Sequence, residues 1–451
     1  MGRLFGTDGA RGVANEALTC ELAMQIGRAA AMVLSDALRP RPRVVLGADT
    51  RMSSAMLGAA VSAGLCSVGA DVLDLGVIPT PAVAYLVGKY KADAGIMISA
   101  SHNPFEYNGI KIFSGDGYKL PDALEEEIEA IVLDHVKTPD PVTGNRIGRV
   151  IAMPDAVRDY TDHLKSTVAY SLEGLRIAVD CSNGAAVSTA KRLFEGLGAT
   201  CDFLFDSPDG CNINDRCGST HPEALQEYVV KHGLDAGVAF DGDADRCYCV
   251  DDLGNVVDGD FIMAICALDM QSRGKLSQNA IVGTVMTNLG FVRFCEKNNI
   301  RFFATKVGDR FVLEQMLLED MNFGGEQSGH IIFRDFATTG DGQLTAIQLL
   351  CQLRRTGEKL SELRKCMTRY PQTMVNLTVS AEGKLAFYTD PQIKDAIDTA
   401  KTELGDKGRI LVRASGTEPV MRVMVEHESL EIAEQVAQRV SAVIKDRLKN
   451  K

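Results

Sequence analysis

The sequence lacks any run of about 18 apolar residues, which is the length that a helix needs to cross a membrane. Its N-terminus, MGRLFGTDG, has no apolar segment of the kind found in secretory signals. Position 6 is Gly rather than Ser or Thr, so the myristoylation motif is missing too. We therefore predict a cytoplasmic protein without a membrane partner.

Positive charge is also in deficit. The chain has 48 Lys and Arg against 60 Asp and Glu, which gives a formal net charge of −12. Proteins that bind nucleic acid need a basic surface to displace counterions, so this balance excludes a nucleic-acid partner. A phosphorylated small molecule remains compatible, because a local cluster of Arg and Lys can oppose the overall sign.

Regular cysteine spacing is absent as well. Twelve cysteines are scattered along the chain, and no two of them form a CxxC pair. We read them as reduced and mostly buried thiols. A zinc site formed by Cys211, Cys217, Cys247 and Cys249 is the weaker alternative, because structural zinc sites usually contain CxxC pairs.

Two common catalytic motifs are missing. There is no GxxxxGK[ST] loop for nucleotide phosphates, and no GxSxG elbow surrounds Ser101.

The 451 residues are too many for one hydrophobic core and instead predict two to four domains.

Strands and helices alternate through most of the chain, which indicates layered α/β domains. Three stretches are similar, because each leads a short apolar strand into a polar loop: SASHNP at 99–104, DGDADR at 241–246 and GEQSGH at 325–330. Earlier in each stretch, another strand is expected to lead through a small polar loop into a helix. A linker rich in Pro, Thr, Gly and Asn lies at 139–148. The predicted α/β domains are residues 1–150, 151–254 and 255–368, and residues 369–451 are predicted to form a separate α+β domain.

Ser101 follows the apolar strand predicted at 95–98, and Pro104 prevents the strand from continuing. The carboxyl end of a strand is where open α/β sheets place ligand-binding groups. The plainer interpretation is that Ser101 only turns the chain, as Ser, Asn and Pro do in most loops. His102 is adjacent, but neighbouring side chains rarely hydrogen-bond to each other.

Asp241, Asp243 and Asp245 place three carboxylates at alternate positions, a pattern suited to a hard divalent cation. A solvated acidic turn is the alternative. A calcium hand is a poor match, because Arg246 stands where its loop needs Gly and Asp252 stands where it needs Glu.

Other candidate groups are less specific on their own. Lys111 and His330 could each act as an acid or base, or could be structural. Arg413, Ser415, Gly416 and Thr417 combine a guanidinium, hydroxyls and a tight backbone, which suits a phosphate group, although a turn with a surface Arg is common.

Taken together, these motifs resemble the α-D-phosphohexomutase superfamily. The motifs are FGTDGARG at 5–12, ISASHNP at 98–104, DGDADR at 241–246, GGEQSGH at 324–330 and RASGTEP at 413–419. They occur in the order of that family and span nearly the whole chain. The resemblance implies three similar tandem mixed-sheet α/β domains and a smaller, mobile C-terminal α+β domain, arranged around a central cleft.

The resemblance also implies roles for individual residues. Ser101 would carry a phosphate, and one Mg²⁺ would be bound by that phosphate and by Asp241, Asp243 and Asp245. Arg246 would lie near the phosphoserine, while Lys111 and His330 would be the candidates for proton transfer, with His102 a weaker one. Arg11 would bind the substrate. Glu326 and Ser328 would contact the sugar hydroxyls, and its non-reacting phosphate would be bound by Arg413, Ser415, Gly416 and Thr417.

The expected partner is a small-molecule sugar phosphate, and Gln327 and NINDRCGSTHP at 212–222 favour the branch of the family that acts on glucosamine phosphates. Mutases of mannose or glucose phosphates are the nearest alternative. A metal-dependent sugar-phosphate phosphatase and a non-catalytic sugar-phosphate sensor are more distant alternatives. The oligomeric state, including a homodimer, is left open.

Overall fold

The computed structural model describes residues 3–6, 8–34, 41–138, 140–414 and 420–449. Its contacts divide the chain into two compact units. The first contains Met1–Met286 and Ile300–Cys366, and the second contains Thr287–Asn299 and Met367–Lys451. No helix within the described ranges is long and apolar enough to cross a membrane.

The first sheet has six strands in the order β1-β5-β4-β2-β3-β6. Its strands are β1 (Ala10–Val13), β2 (Arg43–Ala48), β3 (Asp71–Val77), β4 (Ala94–Ile98), β5 (Tyr107–Ser114) and β6 (Val150–Ala152). The helices of this segment are α1 (Cys20–Leu34), α2 (Met52–Ser67), α3 (Thr80–Lys89) and α4 (Asp122–Leu133).

The second sheet has five strands in the order β11-β10-β9-β7-β8. Its strands are β7 (Arg176–Asp180), β8 (Thr200–Leu204), β9 (Ala236–Phe240), β10 (Cys247–Asp251) and β11 (Val256–Val257). The helices of this segment are α5 (Ala156–Ser166), α6 (Ala190–Phe194) and α7 (Glu223–His232).

The third sheet has four strands in the order β13-β12-β14-β15. Its strands are β12 (Ala280–Thr284), β13 (Arg301–Thr305), β14 (Phe323–Gly325) and β15 (Ile331–Phe333). The helices of this stretch of chain are α8 (Gly259–Ser272), α9 (Leu289–Lys297), α10 (Asp309–Leu318), α11 (Gly342–Thr356) and α12 (Leu360–Leu363).

The same four-strand pattern recurs in all three sheets. Within the first sheet, β2 pairs in parallel with β3 and β4, and β4 pairs antiparallel with β5. The sets β7, β8, β9, β10 and β12, β13, β14, β15 repeat this order and these directions. The prediction of three similar mixed-sheet α/β domains is therefore confirmed.

No strand was predicted directly after any of these polar loops. The chain instead reverses into an antiparallel strand after each loop, forming β5, β10 and β15. These reversals place the three polar loops at equivalent edges of their sheets. They also put Lys111 in the middle of β5, where it pairs with Met97 of β4.

Close packing of α3 on the first sheet fixes the strand that leads to Ser101. All five residues of β4 are buried. A methyl group on Gly95 would lie 2.5 Å from Cγ2 of Val87, and one on Gly47 of β2 would lie 2.5 Å from Cγ2 of Val83. Because real Cβ atoms do not approach that closely, larger residues at these positions would push α3 away from the sheet.

The second unit contains a three-stranded antiparallel sheet in the order β16-β18-β17. Its strands are β16 (Gln372–Thr378), β17 (Gly408–Ala414) and β18 (Val420–His427), and its helices besides α9 are α13 (Ala381–Phe387), α14 (Pro391–Leu404) and α15 (Leu430–Leu448). Buried Glu426 accepts hydrogen bonds from Leu289 N at 2.8 Å and from Arg409 Nε at 2.7 Å, which attaches α9 to this sheet. The predicted α+β character is confirmed, while the four exact domain boundaries stay predictions.

The segment before β1 is held by one buried carboxylate. Glu129 of α4 accepts hydrogen bonds from three successive backbone N–H groups, those of Arg3 at 3.0 Å, Leu4 at 2.7 Å and Phe5 at 2.8 Å. Burial alone would raise the pKa of Glu129, but these three donors outweigh it and lower that pKa. The contact fixes the chain that continues to Asp8 and Arg11.

The variant Glu129→Gln is expected to lower the free energy of unfolding by about 1.5–3 kcal/mol, because an amide cannot accept all three hydrogen bonds. Since the pKa of Glu129 is lower in the folded protein, its contribution is complete above the unfolded-state pKa of about 4.3 and is lost as the pH falls through the folded-state value. Urea unfolding at neutral and acidic pH measures the difference. Glu127→Gln, on an exposed residue of α4, is the control. A deficit that persists unchanged in acid would contradict this account.

Candidate active site

Three polar loops of the first unit lie together, and Cys247 N, directly after the second, donates a 3.0 Å hydrogen bond to Gly329 O of the third. We name them the serine loop (residues 99–106), the aspartate loop (residues 241–246) and the third loop (residues 325–330). The serine loop contacts the aspartate loop directly, because a methyl group on Gly242 would lie 2.5 Å from the carbonyl oxygen of Ser101. The equivalent position of the loops in the repeated sheets brings them together.

Ser101 is 1% exposed and has a φ of 52°, a left-handed conformation that is unusual for a residue other than glycine. Its hydroxyl donates a 2.6 Å hydrogen bond to Oδ2 of Asp241. Contrary to the expectation from the sequence, His102 Nδ1 lies within hydrogen-bonding distance of the same hydroxyl, at 3.3 Å. The hydroxyl of Ser101 therefore faces the aspartate loop.

A buried arginine holds the serine loop in this shape. The guanidinium of Arg51 donates to the carbonyl oxygens of Ser101 at 2.8 Å, Asn103 at 2.9 Å and Pro104 at 2.7 Å. Its Nε also forms an ion pair of 2.9 Å with Asp49, in which both side chains are fully buried. One planar fork thus satisfies three loop carbonyls and the Asp49 carboxylate at once, one acceptor more than the three N–H groups of a lysine could serve.

The three aspartates of the aspartate loop are buried and lie close together. One carboxylate oxygen from each of Asp241, Asp243 and Asp245 falls within 4.8 Å of the others. Oδ1 of Asp243 and Oδ1 of Asp245 are buried without a hydrogen-bond partner in the described part of the chain. Burial, followed by the charges of Asp245 and Asp243, holds the pKa of Asp241 well above its usual range.

This arrangement fits a hard divalent cation. Oxygen donors with unused lone pairs are what Mg²⁺ prefers, and three clustered carboxylates are costly to bury without a compensating charge. No other cluster of three or more metal-ligating side chains occurs among the residues that the structure describes. The four cysteines considered for zinc do not form such a cluster, and none of the twelve cysteines is in a disulfide bond.

Lys111 supplies positive charge to the same cluster. Its Nζ lies 2.7 Å from Asp243 Oδ2, 3.3 Å from Asp245 Oδ2 and 3.0 Å from Asp8 Oδ2. Burial would lower the pKa of Lys111, but the three carboxylates outweigh burial and hold it well above its usual range. The position beside the aspartates is therefore occupied by an ammonium group that reaches the reaction centre from β5.

Two arginines give the site further positive charge. Nε of Arg11 and Nε of Arg246 are buried without a hydrogen-bond partner in the described ranges. Burial, together with the charges of Arg246 and Arg11, lowers the pKa of His102 to about 4. Buried guanidinium nitrogens with unused donors, close enough to His102 to affect its pKa, are suited to an anion such as a phosphate.

The third loop forms a tight turn closed by backbone hydrogen bonds of 3.0 Å from Glu326 N to His330 O and 2.9 Å from Gly329 N to Glu326 O. Glu326 Oε1 accepts a 3.1 Å hydrogen bond from Gly308 N, and burial raises the pKa of this carboxyl. His330 is 3% exposed and Ser328 is half-buried. The turn thus presents a carboxyl, a hydroxyl and an imidazole within five residues.

The proposed phosphate loop lies in the second unit. Arg413 is at the end of β17, opposite Arg422 of β18. Burial, and then the charge of Arg422, lowers the pKa of Arg413. Ser415, Gly416 and Thr417 lie outside the described residues.

Sequence reasoning missed several charged residues of the site. Asp8 and Lys119 form a 2.6 Å ion pair, and Lys119 also pairs with Asp309. Asp8 lies in the FGTDGARG motif and Arg51 follows the strand β2, so these positions carried some signal. Lys119 and Asp309 sit in stretches without any recognisable motif, and only the fold brings them together.

Comparison with known protein families agrees with this geometry. Four family models match the chain, all described as phosphoglucomutase/phosphomannomutase. Alpha/beta/alpha domains I, II and III match residues 2–138, 158–254 and 258–370, and the C-terminal domain matches residues 374–443.

Individual relatives cover the whole chain. The phosphoglucosamine mutase of Caldanaerobacter subterraneus subsp. tengcongensis is 53% identical over 448 residues, which is 99% of this chain and 100% of the relative. A crystal structure of a phosphoglucomutase/phosphomannomutase family protein from Burkholderia thailandensis has a TM-score of 0.83 at 26% identity and covers 99% of this chain and 98% of its own.

The Aspergillus fumigatus N-acetylphosphoglucosamine mutase, solved in complex with GlcNAc-6P and magnesium, has the same fold, with a TM-score of 0.69 at 17% identity and coverage of 99% of this chain and 96% of its own. The four matched domains and the full-length relatives lead to one conclusion. The chain belongs to the phosphoglucomutase/phosphomannomutase family, a branch of the α-D-phosphohexomutase superfamily.

Proposed function

We propose that this chain interconverts glucosamine 6-phosphate and glucosamine 1-phosphate through a phosphorylated Ser101 and a bound 1,6-bisphosphate. The observation that carries the proposal is the 2.6 Å contact between the Ser101 hydroxyl and the buried aspartate cluster. Relatives named phosphoglucosamine mutase, 53% and 50% identical over nearly the whole chain, support the choice of sugar.

Asp241, Asp243 and Asp245, with the phosphate on Ser101, would hold one Mg²⁺. When bound, this cation neutralises charge on the phosphoryl group that is being transferred. The buried and unpartnered oxygens of Asp243 and Asp245 support this role. Arg246 and Arg11 add positive charge from the protein itself, and Arg51 keeps the serine loop in place.

The reaction is a pair of phosphoryl transfers. In the first, the bond between phosphorus and Ser101 Oγ breaks, and a bond forms to a sugar hydroxyl, whose proton goes to a base. In the second, the bisphosphate has turned end over end. The bond between its other phosphorus and the sugar oxygen breaks, a bond from that phosphorus to Ser101 Oγ forms, and the sugar oxygen takes a proton from an acid. Lys111 and His330 are the groups that we assign to proton transfer, and His102 contacts the phosphate.

Several side chains are proposed to bind the substrate. Glu326 and Ser328 would hydrogen-bond sugar hydroxyls, and Arg11 would face the substrate from β1. Arg413, Ser415, Gly416 and Thr417 would bind the phosphate that is not reacting. Because the substrate presents both of its ends in turn, this phosphate site must accept either end of the sugar.

The family name itself favours a second candidate, a mutase of glucose or mannose phosphates. Turnover of glucosamine, glucose and mannose 6-phosphates by the same preparation separates the two. The proposal expects the highest kcat/KM with glucosamine 6-phosphate. A clear preference for mannose or glucose phosphate would overturn the assignment, and release of free phosphate in step with substrate loss would indicate a phosphatase.

The variant Ser101→Ala is expected to abolish mutase activity, because the phosphate carrier is removed. The free energy of unfolding should change by no more than about 1.5 kcal/mol, since one hydrogen bond to Asp241 is lost. Coupled product assays and thermal unfolding measure both effects. Ser207→Ala, at an exposed serine, is the control, and turnover in Ser101→Ala equal to this control would refute the role of Ser101.

The variant Asp243→Asn/Asp245→Asn is expected to weaken Mg²⁺ binding at least about tenfold, because affinity depends on the number of charged ligands. Titration calorimetry with MgCl₂ and the whole protein measures this without relying on activity. Asp215→Asn removes an exposed carboxylate from the same segment and should leave binding unchanged. Equal affinities in all three proteins would place the cation elsewhere.

A further inference from the structure

Lys119 lies at the middle of an alternating chain of charges. Its Nζ contacts Asp8 Oδ1 at 2.6 Å on one side and forms an ion pair with Asp309 on the other. Asp8 in turn lies 3.0 Å from Lys111 Nζ, and Asp309 Oδ2 lies 3.5 Å from Nε2 of His330. Both groups assigned to proton transfer therefore stand at the ends of this chain, with Lys119 as its central cation.

The backbone around Lys119 is fixed by two contacts. The chain leaves β5, turns tightly at Gly117, which has a φ of 76°, and pairs Lys119 with Phe113 through an isolated β-bridge. The hydroxyl of Thr338, which follows β15, donates a 2.6 Å hydrogen bond to Gly117 O. The turn that carries Lys119 is thereby tied to the segment that follows the third loop.

At the His330 end of this series of charged side chains, the position of the imidazole depends on Asp309. This residue is the first of α10 and follows Gly308, whose N–H holds Glu326. Neither ring nitrogen of His330 has a hydrogen-bond partner in the described ranges, while a methyl group on Gly340 would press to 2.5 Å from the ring. Packing at Gly340 therefore restricts the ring, but Asp309 is the main polar group that determines where its nitrogen atoms point.

Packing alone does not explain why charged side chains occupy these positions. Burying an ion pair costs desolvation energy that a well-packed apolar pair of similar volume would avoid. The side chains of Lys119 and Asp309 are only 16% and 15% exposed, yet a cavity of about 220 Å³ opens beside them, lined in part by Leu313, Leu317 and His330. Charge, rather than close packing, therefore determines where Lys119 and Asp309 sit.

We propose that Lys119 is a positioning residue, which fixes Asp309 against His330 and Asp8 against Lys111 and so aligns the two proton-transfer groups with the same substrate. This inference rests on the proposed function. Without the cation, the Asp8 and Asp309 carboxylates would repel each other. The strand β5, which carries Lys111, and the third loop, which carries His330, would then lose the charged link between them. A displacement of about 1 Å at a reacting group is enough to cost about a hundredfold in rate.

The test compares variants in the full-length protein with Mg²⁺ and glucosamine 6-phosphate. Lys119→Met, which keeps the length of the side chain but removes its charge, is expected to lower kcat about ten- to hundredfold while KM changes less than about threefold. Lys119→Arg should recover most of the lost kcat, because it restores the charge. Asp309→Asn keeps the shape of Asp309 and is expected to lower kcat in the same way. It tests the proposal independently if Lys119→Met folds poorly.

Lys359→Met is the matched control, because it makes the same substitution at an exposed lysine whose Nζ lies 3.2 Å from Asp252. A purely structural role predicts losses in Lys119→Met that follow its melting temperature, with no recovery in Lys119→Arg. That result, or a kcat in Lys119→Met equal to the control, would overturn the positioning role. A wild-type protein inactive on every hexose phosphate would instead overturn the proposed function.

Discussion

The balance of charge around Ser101 is the constraint on which the rest of the site depends. Three aspartates of the aspartate loop and Asp8 converge on a centre that excludes most water, and Lys111, Arg11 and Arg246 provide the opposing charge. Clustered carboxylates in such a place cannot all ionise unless cations approach them, and the raised pKa of Asp241 is the direct sign of this conflict. A site with this distribution of charge is suited to a divalent cation, which offsets the carboxylates, and to a phosphate, which offsets the cationic side chains.

The repeated fold is what assembles these charges. Each of the three sheets reverses direction after a polar loop, so that the strand that follows pairs antiparallel with the one before. The reversal turns each loop into the tip of a hairpin and places its side chains at the sheet edge. Because the first unit contains three such sheets, three loops of different chemistry reach the same centre: a hydroxyl, a set of carboxylates, and a turn with Glu326, Ser328 and His330.

The sequence indicated the fold class and the principal residues of the site, but not the residues that hold them in position. Alternating strands and helices predicted the α/β class, and the motif residues from Ser101 to His330 were identified by chemistry and by resemblance. The strands β5, β10 and β15 were missed because each directly follows a polar loop that reads as the end of its strand. Arg51, Lys119 and Asp309 were missed because their roles arise only from contacts across long sequence separations, 50 residues for Arg51 with Ser101 and 190 for Lys119 with Asp309. The local sequence pattern carries no information about such pairs, whereas residues clustered in a motif can be recognised from their neighbours in the sequence.

The central claim is that Ser101 carries the phosphate that is transferred. The most direct measurement follows a labelled phosphate from glucosamine 6-phosphate during a single turnover, with rapid acid quenching and peptide mapping around residues 94–112. The account predicts that the label appears on Ser101 at a rate at least equal to that of overall turnover, while the glucosamine 1-phosphate released in that turnover carries the unlabelled phosphate that Ser101 held at the start. Label that passes into glucosamine 1-phosphate without ever residing on Ser101 would contradict the account.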